Sequence, residues 1–274
     1  MVQKRGGPQD QARLEAIKKQ WQQKRTIAQQ FAKITHKVAI YSGKGGVGKS
    51  TVSVNLAVTL AGLGYKVGLL DVDIDCPNVV SVMKMDQKPI YRDGIFLPAE
   101  KWGVKVLSMG FFQESAEEAI IFRGPMIHNT ITQFLEMTQW GELDYLIVDL
   151  PPGTSDAALT VMQSLPLDGF ITVAAPQELA RIDAMRSINM VRKLNLPVVG
   201  IVENFTGDIF GSGAGELLAN EVGEPFLGKF ELRKSYRDTS KPTVLLDEEV
   251  QREYVKVAER MEMALKESST AETG

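Results

Sequence analysis

One cysteine, Cys76, and two histidines, His36 and His128, are all that 274 residues hold of thiol and imidazole metal ligands. A lone thiol makes no internal disulfide, and the isolated histidines read as structural. No apolar run approaches the roughly 18 residues that a membrane helix needs. The opening Met-Val-Gln-Lys-Arg-Gly-Gly-Pro is not followed by an apolar stretch, so no secretory signal is visible. There is no internal repeat. These absences fit a cytoplasmic protein with no membrane span. The eleven methionines are scattered, and core filling accounts for them.

What is present is ordinary globular material, 44% hydrophobic and 24% charged, long enough for a sizeable core. Its charge is unevenly placed. The net charge is −3, yet residues 1–37 hold nine Lys/Arg against Asp10 and Glu15, which is +7 and leaves −10 for the other 237 residues. Leu14, Ile17, Trp21, Ala28 and Phe31 recur at helical spacing between Lys18, Lys19, Lys24 and Arg25, which predicts a helix over about 9–34. The expected organisation is a basic helical arm (1–35), an undivided body (36–266) and a frayed tail (267–274). The arm is expected to pack on the body of this or a partner subunit. Contact with nucleic acid or a membrane surface through its basic residues is the alternative.

Within the body, apolar runs at 38–41, 67–70, 145–148, 170–173, 198–202 and 226–230 alternate with helix-length segments at 51–63, 124–138, 155–164, 177–194 and 247–266. Uninterrupted apolar strands between helices predict an α/β fold: a single doubly wound, mostly parallel sheet with helices on both faces. Asp93-Gly94 marks a tight turn, so 90–108 reads as a hairpin insertion.

Between the first strand and the first helix of that body lies Gly43-Lys44-Gly45-Gly46-Val47-Gly48-Lys49-Ser50-Thr51. This is the phosphate-binding loop pattern in its strand–helix context. Glycines let the backbone turn its N–H groups inward, and the following helix adds its positive end at the same place. Lys49 is expected to meet the β- and γ-phosphates of ATP and the Ser50 hydroxyl to ligate Mg²⁺. In parallel sheets ligands bind at the carboxyl ends of strands, which directs attention to Asp71 and Asp73 after the 67–70 strand and to Asp149 after the 145–148 strand. If both strands flank the first, all three acids sit beside the loop. Asp149 is expected to join Ser50 on Mg²⁺, with a turn cap before Pro151-Pro152 as the alternative. Asp73 is assigned to the attacking water and Asp71 to outer-shell Mg²⁺ contact. Gly153 has no side chain to keep its N–H from the γ-phosphate.

The second lysine, Lys44, resembles that of a deviant class of phosphate loops found in Mrp-type cluster carriers, septum-positioning and plasmid-partition ATPases and nitrogenase iron protein. The resemblance implies that Lys44 reaches across a homodimer interface to the partner's nucleotide; otherwise it is a solvated loop lysine. Further runs sharpen the likeness: Leu70-Asp71-Val72-Asp73-Ile74, Phe122-Arg123-Gly124-Pro125-Met126, the stretch from Trp140 through Asp149-Leu150-Pro151-Pro152-Gly153 to Asp156, Ala175-Pro176-Gln177-Glu178 and Gly200-Ile201-Val202-Glu203-Asn204. Over about 36–265 the chain resembles the Mrp-type (ApbC-type) iron–sulfur cluster carrier ATPases. That implies ATP hydrolysis, an adenine contact by Asn204, and a [4Fe–4S] cluster shared between two subunits through Cys-x-x-Cys pairs.

Here the chain departs from the pattern. After Asn204 it runs Phe205-Thr206-Gly207-Asp208-Ile209-Phe210-Gly211 with no cysteine. Cys76 alone gives a dimer two thiolates, against the four such a cluster commonly takes. Three readings stay open: an ATPase of iron–sulfur assembly acting with a cysteine-bearing paralogue or client protein, a nucleotide-switched scaffold, or a positioning ATPase on DNA or membrane.

Overall fold

β1 (Ile34–Tyr41) shows why this sequence builds a sheet with two covered faces. Val38 and Ile40 belong to one apolar cluster, Ala39 and Tyr41 to another. Successive side chains of a strand face opposite sides, so a run without polar alternation has to be covered twice. β7 (Leu143–Asp149) repeats the pattern, with Tyr145 and Ile147 on the first side and Leu146 and Val148 on the second. The computed structural model describes residues 8–113 and 124–271. With β2 (Val67–Asp71), β5 (Ala99–Lys101), β6 (Val104–Ser108), β8 (Gly169–Ala174), β9 (Val198–Thr206) and β10 (Phe226–Glu231), these strands form one eight-stranded sheet. Its order is β10-β9-β8-β1-β7-β2-β6-β5, parallel throughout except for β5.

α2 (Lys49–Gly62) and α8 (Glu248–Ala271) cover the first face, through residues such as Leu56, Leu60, Val257 and Met261. Tyr254 of α8 lies flat on Phe230 of β10, ring centroids 3.9 Å apart. α1 (Pro8–Phe31), α4 (Gly124–Met137) and α5 (Asp156–Ser164) contribute Ile27, Phe31, Ile131, Leu135 and Val161 to the second face. α6 (Glu178–Lys193) and α7 (Ala214–Val222) close the β8–β9 side through Ala184, Ile188 and Leu218. α3 (Val79–Val82) is a single turn after the acidic 71–75 segment.

Several expectations need correction. β2 does not flank β1: β7 lies between them, and Asp71 pairs in register with Asp149 instead. Only part of 90–108 stands apart. β3 (Ile90–Arg92) and β4 (Ile95–Leu97) make the Asp93-Gly94 hairpin, whereas β6 joins the main sheet beside β2 with β5 folded back on it. α1 stops at Phe31, because Ile34 already belongs to β1. Residues 267–271, expected to fray, continue α8. Residues 1–7 of the arm, 272–274 of the tail, and Phe122 and Arg123 lie outside the described residues. Among the described residues no helix is long and apolar enough to cross a membrane.

Candidate nucleotide site

The loop between β1 and α2 is shaped by its glycines and braced on three sides. Gly46 and Gly48 take φ of 82° and 80°, a left-handed backbone that costs other residues roughly 1–2 kcal/mol. Gly43 is required for a different reason: a Cβ there would fall 2.0 Å from the backbone oxygen of Asp183, so the loop rests directly on α6. On a second side the Asn204 amide, from within β9, donates to the Val47 oxygen at 2.9 Å. On a third, the Gly153 N–H donates to the Ser42 oxygen at 2.9 Å. Gly153 is held in turn by the Tyr41 hydroxyl, which donates to its carbonyl.

Behind the loop sits a buried ion pair. The Lys49 ammonium, 7% exposed, lies 2.8 Å from Oδ1 of Asp149, which is fully buried at the end of β7. Ser53, one turn along α2, donates to the same oxygen at 2.7 Å. Asp149 Oδ2 is buried with no hydrogen-bond partner among the described residues, an exception to the rule that buried polar atoms are satisfied. The Ser50 hydroxyl lies 3.5 Å from the Lys49 ammonium. A buried carboxylate with a spare oxygen and a nearby hydroxyl form a hard-oxygen donor set of the kind that suits Mg²⁺ with its waters.

Lys44, Gly45, Gly46, Gly48, Lys49, Ser50, Thr51 and Asp73 line one cavity of about 430 Å³. Val47 is buried beneath the loop. A second cavity of about 420 Å³, which also meets Lys44, Gly45 and Gly46, is walled by Phe205, Phe210 and Leu232. Asp73 is buried in the first cavity's wall, and its Oδ1 accepts the Cys76 N–H at 3.1 Å. Burial pushes its carboxyl above the usual range, with that N–H opposing.

Asp71 is not brought to the cavity. Its Oδ1 accepts the Asp73 N–H at 3.0 Å, and its Oδ2 accepts the Ser108 hydroxyl at 2.7 Å and the Val79 N–H at 3.3 Å. This side chain ties β2, β6 and the 71–79 turn together. Burial, and then the charge of Asp149, push its pKa up to about 7 against the pull of Lys49. Two other expected contacts are already engaged: the Gly153 N–H by Ser42, and the Asn204 amide by Val47. Asn204 is an interior residue of β9. Cys76 is exposed in the cavity wall. His36 stacks on Tyr145, and His128 contacts the Thr160 hydroxyl.

Sequence reasoning missed Ser53, Ser108 and Tyr41. Ser53 had a signal, since it stands four residues after Lys49 and so on the same face of α2. Ser108 had none, because its partner Asp71 comes from a strand whose neighbour the pattern did not reveal.

Residues 33–263 match the ParA-type family described as NUBPL iron-transfer P-loop NTPase. The chain is 44% identical to the iron–sulfur cluster carrier protein of Methanocaldococcus jannaschii over 256 residues, 88% of each chain. It is 42% identical to that of Methanococcus maripaludis over 252 residues, 86% of this chain and 87% of the relative. Among solved structures it resembles the nucleotide-binding protein of Archaeoglobus fulgidus in complex with ADP, with a TM-score of 0.69 and 34% identity over 80% of this chain and 91% of that one. The septum site-determining protein MinD of Pyrococcus horikoshii, complexed with Mg-ADP, shares the fold at a TM-score of 0.62 and 23% identity, over 82% and 95%. Fold, phosphate loop and relatives agree: the chain belongs to the Mrp/NUBPL-type iron–sulfur cluster carrier family of P-loop NTPases.

Proposed function

We propose that this chain is a Mg²⁺-dependent ATPase of cytoplasmic iron–sulfur cluster assembly, acting as a homodimer, and that it does not itself hold a bridging cluster of the Cys-x-x-Cys kind. The observation that carries the reading is the buried Lys49–Asp149 pair behind a cavity that also presents Lys44, Ser50 and Asp73. Phosphoryl transfer needs positioning and charge neutralisation more than covalent chemistry, and these groups supply both. The loop N–H groups from Gly43 to Thr51 cradle the phosphates. Lys49 exchanges Asp149 for the β- and γ-phosphates. Ser50 and Asp149 would hold Mg²⁺, whose positive charge would offset that on the phosphate oxygens. Asp73 orients the attacking water. Lys44 makes no ion pair among the described residues and is assigned to the partner's nucleotide. Asn204 reaches an adenine edge by giving up its bond to Val47.

The cluster is the cargo of this family, and the cargo site is what differs here. Where the cysteines would be expected, residues 207–211 close on themselves through two backbone hydrogen bonds between Gly207 and Gly211, at 2.7 and 3.1 Å. One thiol per chain, Cys76, stands on the nucleotide side.

The test is anaerobic reconstitution with iron and sulfide, with ATP hydrolysis measured on the same preparation. Mg²⁺-dependent hydrolysis that Lys49→Ala abolishes, without stoichiometric iron, is the expected result. An unchanged rate in Lys49→Ala overturns the catalytic assignment, and a stoichiometric cluster overturns the reading of 207–211.

A further inference from the structure

Among the described residues, one row of α1 is left uncovered. Leu14, Ile17 and Trp21 are 57%, 41% and 72% exposed, whereas Ile27 and Phe31, nearer the body, are buried on its second face. At 3.6 residues per turn the three exposed side chains fall within roughly 60° of arc. Lys18 and Arg25 border that row on one side and Lys24 on the other, all three exposed and none in an ion pair among the described residues. Glu15, exposed, lies well round the helix from the row.

We propose that the exposed half of α1 docks on an anionic lipid surface. Nucleic acid engages Lys and Arg through its phosphates, but it leaves an apolar row uncovered. A second α1 would cover the row while bringing Lys18, Lys24 and Arg25 against their own copies. A lipid surface satisfies both features: the apolar row enters the headgroup–acyl boundary, and the bordering cations meet anionic headgroups. Tryptophan favours that boundary.

The experiment is co-flotation of the full chain with vesicles of phosphatidylcholine alone and of phosphatidylcholine with phosphatidylglycerol, at low and at high salt, with tryptophan emission recorded. Flotation with the anionic vesicles only, weakened by salt and accompanied by a blue shift, is expected. Lys18→Ala and Arg25→Ala should each lower the partition constant about fivefold, and Trp21→Ser should lower it about tenfold. All three variants should keep wild-type ATP hydrolysis and unfolding midpoints, since these side chains are exposed and line neither cavity beside the phosphate loop. Failure to float at low salt overturns the proposal, as does equal flotation on both vesicles. Retention by duplex DNA without flotation overturns it in favour of nucleic acid. A Trp21→Ser variant that changes oligomeric mass, in a wild type that does not float, overturns it in favour of self-association.

Discussion

Removing Asp149 should leave the Lys49 ammonium buried without its counter-ion. With Lys49 7% exposed, Asp149 fully buried and 2.8 Å between them, the pair is desolvated, and breaking such a pair by deleting one partner costs about 3–5 kcal/mol. Asp71 tempers that cost. Asp149 is one of the two influences that raise its pKa to about 7, and Lys49 lowers it. Without Asp149, Asp71 ionises more readily and lends Lys49 part of a charge, so Asp149→Ala should sit near the lower end, about 3 kcal/mol. Lys49→Met leaves two buried carboxylates, which take up a proton instead of staying charged, and should cost less. The double variant has neither charge, so its loss should fall short of the summed single losses by about 1–3 kcal/mol. The assay is urea unfolding at neutral pH, without nucleotide and with chelator, followed by far-ultraviolet circular dichroism. For a chain of this size 1 kcal/mol moves the thermal midpoint by about 2–4 °C, so heating serves as a second readout. Single losses that add to the double within about 0.5 kcal/mol would refute the coupling and, with it, the idea that Lys49 is held ready by Asp149.

Gly43→Ala places a methyl group against the Asp183 carbonyl, which has to give way; phosphate-containing ligands should bind at least about tenfold more weakly in calorimetry, with a stability loss of about 1–3 kcal/mol. Phe31→Ala opens a void under α1 and should cost about 3–5 kcal/mol by urea titration, whereas Trp21→Ala, at an exposed site, should stay within about 0.5 kcal/mol. Burial raises the Tyr41 pKa to about 12. The folded chain therefore keeps a proton that the unfolded chain has released from pH 10 upward, and stability should fall as pH climbs from 10 to 12, by up to about 1.4 kcal/mol per pH unit from this group. Tyr41→Phe should flatten that decline in alkaline unfolding curves.

Much of this molecule can be read from its residues, for identifiable reasons. The phosphate loop is legible because its chemistry is local: glycine, lysine and serine at fixed spacing do their work within nine residues. The strands are legible because burial on both faces writes itself into the chain as an unbroken apolar run. Strand order is not written that way. Nothing in 67–70 tells that β7 will come between it and β1, and so Asp71, equal to Asp73 in spacing, ends up tied to Ser108 and Val79 while Asp73 reaches the cavity. β6 escaped notice because its run follows a turn-rich stretch whose first half does form a separate hairpin. Asn204 and Gly153 illustrate a further limit. Their place near the loop was foreseeable, but the hydrogen bonds that occupy them depend on how closely β9 and the 150–153 turn approach it.

The loop's three contacts, with α6, β9 and the turn after β7, also say when its disorder is removed. A glycine-rich segment free in solution has many conformations to surrender, and each residue fixed costs about 1–2 kcal/mol at room temperature. Here the surrender is complete once the body has folded, with Gly43 wedged on α6 and both Ser42 and Val47 tethered. A phosphate arriving afterwards meets donors already in place. Its binding should accordingly carry little entropic penalty from the polypeptide, leaving desolvation and charge to set the affinity.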